Sequence, residues 1–113
     1  MKNVKVYNKL VRDKIPEIIV KNGGEFQIQQ LDELTYLEKL DEKLLEECHE
    51  LTQTSDKAEE VADILEVLHA YADVHGFTMS EVEVIRRNKL EKRGAFKKRI
   101  LLKSATLIDL NNE

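Results

Sequence analysis

"LLEECHELTQTSDKAEEVADILEVL", residues 44–68, places Glu46, Glu47, Glu50, Glu60 and Asp63 in and around two leucine-rich segments with the spacing of core helices. At about 100° per residue, Leu37, Leu40, Leu44, Cys48 and Leu51 form one stripe on a long helix that starts after an N-cap at Asp32 and reaches about Leu51. Glu47 and Glu50 lie along the edge of that stripe, with Glu46 farther round. Like charges three or four residues apart weaken a helix by roughly 0.2–0.5 kcal/mol, so this arc calls for a cation or for solvent. The following helix, expected from about Lys57 to His75 and stopped by Gly76, has an apolar face of Val61, Ile64, Leu65, Val67, Leu68 and Tyr71. Glu60 falls inside that face and Asp63 at its margin, whereas Glu59, Glu66, His69 and Asp73 make a separate polar side.

An ionised carboxylate among apolar side chains must be paired, bind a metal or become neutral. If the two helices face each other, all five carboxylates converge. Clustered oxygen ligands with no cysteine or histidine on the same face suit a hard cation, Mg²⁺ or Mn²⁺, and not zinc. The same pattern is also met if Glu60 pairs with a lysine or arginine from another helix while the remaining acids are solvated. Spacing alone leaves both open.

Working outward, "RDKIPEIIVKNGG" predicts a short first helix, with Asp13 near its start, Pro16 in its opening turn and Gly23 or Gly24 at its end. Alternation in "EFQIQQ" predicts a half-buried strand, and a β-compatible run from Arg99 to Leu102 can pair with residues 25–30 as a small ribbon. A fourth helix starts at "TMSEVE", where Thr78 with Glu81 or Ser80 with Glu83 makes a capping box, and Gly94 ends it. The last few residues are expected to fray. At 113 residues, with 35% charged and 42% hydrophobic residues, one proline and no tryptophan, the chain is expected to form a single domain, 1–113. The fold class is mainly α: an antiparallel bundle of about four helices with that ribbon.

A formal net charge of −4 argues against a general nucleic-acid binder, and no apolar run approaches the roughly 20 residues that span a bilayer. Cys48 is the one cysteine, so no internal disulfide forms, and "MKNVKVYNKLVRDK" lacks the apolar run of a signal peptide. A cytoplasmic location is expected. There is no P-loop or dinucleotide-binding glycine pattern, so any nucleotide would be held by metal and helix side chains.

"EECHE" followed by "EVAD" has the form EExxE then ExxD, and that pair resembles the all-α nucleoside triphosphate pyrophosphohydrolases, which include MazG-like enzymes and phosphoribosyl-ATP pyrophosphohydrolase. "YNKLVRDKIPEII" and "KLEKRGAF" resemble the small single-domain house-cleaning branch. The resemblance implies a magnesium shell of Glu46, Glu47, Glu50, Glu60 and Asp63, with release of a nucleoside monophosphate and pyrophosphate. It also implies a homodimer or higher homo-oligomer. Glu47 or Glu50 is the carboxylate expected to orient or deprotonate the attacking water. Phosphoribosyl-ATP hydrolysis in histidine synthesis is the alternative within the same chemistry, and a non-catalytic helical interaction module is the alternative outside it.

Phosphates need cations. On the fourth helix Lys89 shares an arc with Val82 and Ile85, Lys92 borders it and Arg93 lies next to Lys89, so these three are the expected phosphate ligands. A lysine stem snorkelling over the core explains Lys89 equally well. Asn8, Lys9, Arg12 and Lys14 match the branch's "NKLVRDK" run, which makes them candidates for nucleotide contact, or for capping and packing.

Overall fold

The computed structural model describes residues 3–106, and among them are four helices: α1 (Ile15–Lys21), α2 (Glu33–Gln53), α3 (Lys57–His75) and α4 (Met79–Arg93). The chain divides into two units, Met1–Val74 and His75–Glu113.

In the first unit, α1 begins later than Asp13 suggests. Its N-cap is Lys14, which supplies no side-chain hydrogen bond, and Ile15 N–H donates to the Arg12 carbonyl instead. Two bonds close the other end, from Gly23 N–H to the Val20 carbonyl at 2.9 Å and from Gly24 N–H to the Ile19 carbonyl at 2.8 Å. This is a Schellman cap, which needs a left-handed residue, and Gly23 supplies it at φ 85°. A Cβ at Gly24 would stand 2.8 Å from Ile19 Cγ2, so both glycines are required.

Asp32 caps α2 as its position predicts, accepting from Thr35 N–H at 2.8 Å. A three-residue turn then reverses the chain. Thr54 Oγ1 accepts from Asp56 N–H, Asp56 Oδ1 accepts from Glu59 N–H, and Lys57 Nζ donates to the Leu51 carbonyl at the exposed end of α2. Asp41 of α2 accepts a hydrogen bond from Tyr71 of α3, while Glu47 lies with Glu60 nearer the turn, so the two helices run antiparallel. Burial is the first cause that pushes the Tyr71 hydroxyl up to about 12, followed by its bond to Asp41 and that carboxylate's charge. Leu40 at 3% exposure, Val67 at 8% and Ala72 at 2% are the buried apolar side chains between them.

The expected ribbon does not form among the described residues. Residues 24–32 and 99–102 have no regular secondary structure. Phe26, Ile28 and Leu101 are exposed, so no covered face repays pairing the two segments.

In the second unit, Gly76 (φ 77°) ends α3 and Thr78 opens α4. Of the two capping boxes the sequence allows, Thr78 with Glu81 is the one that forms: Glu81 N–H donates to Thr78 Oγ1 and Thr78 N–H to Glu81 Oε2. Gly94 at φ 81° closes the helix. The expected fraying of the last few residues lies outside the described residues.

Candidate metal centre

Glu47 leaves α2 on the side facing α3, about two turns before the reversal, and Glu60 and Asp63 leave the first two turns of α3 toward it. One carboxylate oxygen from each lies within 4.8 Å of the others. The Glu47 side chain is only 12% exposed. Glu60 Oε1 is enclosed and meets no hydrogen-bond partner. The Glu60 carboxyl is pushed up to about 7, first because its acid form can hydrogen-bond Glu47, then by burial and the charges of Glu47, Asp63 and Glu50. Three oxygen donors at this spacing, with the Oε1 atom of one of the three carboxylates enclosed and unpartnered, fit a hard divalent cation, for which carboxylates are the preferred ligands.

Cations of the chain itself surround the cluster. Lys43, one turn before Glu47 on α2, reaches Glu47 Oε1 at 3.0 Å and Glu46 Oε2 at 3.4 Å. Lys9 Nζ lies 2.5 Å from Glu46 Oε1, and an Arg12 terminal nitrogen lies 2.7 Å from Asp63 Oδ1. Partial burial works to raise the Glu46 carboxyl, but the Lys9 hydrogen bond and the charges of Lys43 and Lys9 outweigh it and hold it below its ordinary value. The same bond with Glu46 raises the Lys9 ammonium.

Of the five carboxylates read from sequence, the fold therefore gathers Glu47, Glu60 and Asp63. Glu46 is turned to Lys9 and Lys43. Glu50 is exposed and outside the cluster, yet near enough for its charge to act on Glu60. Lys43 was not singled out by sequence reasoning, although a lysine three and four residues before two glutamates is a visible helical signal. Lys9 and Arg12 meet the acids across 37 and 51 residues of sequence, which no local pattern reveals.

Asn8 and Lys14, in the same unit, make none of these contacts. Asn8 takes a left-handed backbone at φ 47°, which asparagine tolerates, and Lys14 is the exposed N-cap of α1. Lys89, Lys92 and Arg93 are exposed on α4 in the second unit. The arc that Lys89 shares is only partly covered, since Val82 is half-buried and Ile85 is 56% exposed. Arg93 lines a shallow cleft of about 350 Å³ with Gly94, Ala95, Lys97, Lys98 and Ile100. No helix among the described residues is long and apolar enough to cross a membrane.

No family model, no curated protein and no solved structure matches the chain.

Proposed function

We propose that the protein is a divalent-cation-dependent pyrophosphohydrolase that cleaves a nucleoside triphosphate or a related nucleotide to a monophosphate and pyrophosphate. The observation that supports it is the convergence of Glu47, Glu60 and Asp63, one oxygen of each within 4.8 Å of the others, together with a Glu60 Oε1 atom that is enclosed and has no partner. Such an arrangement is costly in a protein that uses it only for packing. Bound Mg²⁺ would neutralise phosphate charge and lower the pKa of a water molecule. Glu47, Glu60 and Asp63 would hold it there, and Mn²⁺ suits the same oxygens. Glu50, exposed and free of that cluster, is the side chain assigned to orient the attacking water. The EExxE and ExxD spacing, similar to that of the all-α pyrophosphohydrolases, favours anhydride cleavage over other cation-dependent chemistry, with house-cleaning of the nucleotide pool as its role.

A second reading has an observation of its own. Lys9, Arg12 and Lys43 already pair with Glu46, Glu47 and Asp63, as a purely structural charge network would. Glu60 distinguishes the two, because that network leaves its enclosed oxygen unanswered.

Assembly as at least a homodimer belongs to the same proposal. Leu34, Leu45, Val61 and Leu65 are exposed on α2 and α3, and a second copy is the partner that the family resemblance supplies for them.

The test is a screen of nucleotides with Mg²⁺ or Mn²⁺ in which pyrophosphate, orthophosphate and monophosphate are measured separately. Pyrophosphate and monophosphate should appear in equal amounts from at least one nucleotide. Orthophosphate as the first product, with contaminating phosphatase excluded, overturns the reaction type.

A further inference from the structure

The N-terminal segment before α1 has almost nothing apolar to hold it in place. Val4 is 86% exposed and Val6 74%, and Tyr7 and Val11 are also exposed. Only Leu10 is half-buried. What ties the segment to α2 and α3 is a pair of charged contacts, Lys9 to Glu46 and Arg12 to Asp63. They flank the carboxylate cluster on both helices, and Asp63 belongs to the cluster itself. One carboxylate oxygen cannot serve a guanidinium at 2.7 Å and a divalent cation at full strength together, because both compete for the same lone pairs and the two positive charges repel.

We infer that Lys9 and Arg12 are the chain's own counter-cations: they hold residues 3–14 against the acidic face until a divalent cation takes the Asp63 carboxylate from Arg12, its charge repels the neighbouring Lys9 ammonium, and the segment is released. The inference rests on the cation site proposed above and adds a moving part to it. All four partners of the two pairs are about a third or more exposed, so each pair is weak enough for a divalent ion to break. Lys43 differs. It sits on the same helix as Glu46 and Glu47, so it can yield Glu47 to the ion and keep Glu46 without any segment moving. Release leaves the ammonium of Lys9 and the guanidinium of Arg12 available to an anionic ligand that arrives with the cation.

The experiment uses the full chain, with Mn²⁺ alone as the probe, and reads affinity by calorimetry and protection of residues 3–14 by limited proteolysis at the exposed lysines and arginine of the segment. Wild type and the double variant Lys9→Met with Arg12→Met are compared at low salt, with Glu60→Gln as the control for the cation site. Wild type should bind Mn²⁺ and lose protection of residues 3–14 on binding. The double variant should lack that protection from the start and bind Mn²⁺ about two- to fivefold more tightly for each cation removed, a gain that shrinks at high salt. A wild type that binds Mn²⁺ with Glu60-dependence, keeps residues 3–14 protected and has the same affinity as the double variant overturns the inference while leaving the cation site standing. Binding by the double variant alone supports it, since the wild-type counter-cations then mask the site. Absence of binding in both proteins overturns the cation site and the inference with it.

Discussion

Cation binding at the Glu47–Glu60–Asp63 cluster should expel a proton, and the amount is fixed by Glu60. Its carboxyl sits at about 7 in the cation-free fold. The acid form therefore makes up about 0.9 of the population at pH 6, about 0.5 at pH 7 and about 0.1 at pH 8. A cation that binds only the ionised form releases those fractions of a proton, and its apparent affinity rises about tenfold from pH 6 to pH 8. Titration calorimetry with Mn²⁺ in two buffers of different ionisation heat reads both quantities, at constant ionic strength. Glu60→Gln should abolish binding and proton release together, and Glu66→Gln, exposed on the polar side of α3, should alter neither. The stability of the cation-free protein follows with a definite sign. Because folding raises this carboxyl above its ordinary value of 4.5, its favourable contribution is complete below that pH and is lost as pH rises through about 7. Glu60→Gln should then melt higher than wild type at pH 8 and lose that advantage at pH 4. An affinity that is flat from pH 6 to pH 8, with no proton released, refutes the placement of Glu60 in the site.

Three other expectations concern the frame around it. Thr78→Ala removes the side-chain acceptor of the α4 capping box and should cost about 1 kcal/mol in a denaturant melt, with Thr78→Ser recovering most of the loss. Glu83, held down to about 2 first by its hydrogen bond with Arg86 and then by Arg87, contributes stability above its ordinary value of 4.5 that is lost as pH falls through about 2. Wild type and Glu83→Gln should accordingly differ in melting temperature at pH 7 and converge near pH 2. Sedimentation at micromolar protein should show at least a dimer, and Leu65→Glu should weaken it; a fully active monomer contradicts the assembly.

Much of the helical framework was legible because its signals are local. Asp32, Gly76, the Thr78–Glu81 pair and Gly94 each act within one turn, and each ends or opens the helix that its position predicts. Helical phase likewise identified Glu60 as a carboxylate out of place, and the enclosed Oε1 atom is the physical form of that anomaly. What phase could not supply was partners. It grouped Glu46 with Glu47, but which way a side chain on such an arc turns depends on Lys9, far off in the sequence, and on Lys43. The strand expected from Phe26 and Ile28 is absent among the described residues for a related reason: alternation marks a segment able to pair, while pairing also requires a face to bury, and both side chains are exposed.

The turn of Thr54, Ser55 and Asp56 sets the register in which α3 begins. Side-chain bonds at both of its ends leave it no slack, and Glu60 stands only one turn beyond it. One residue added between the Asp56 cap and Glu60, within the first turn of α3, would turn Glu60 and Asp63 by about 100° about the helix axis and shift them by about 1.5 Å along it. Glu60 and Asp63 would then point away from Glu47 even with every side chain unchanged. The register of Glu60 and Asp63 on that cap therefore decides the convergence of the three carboxylates as firmly as the acids themselves.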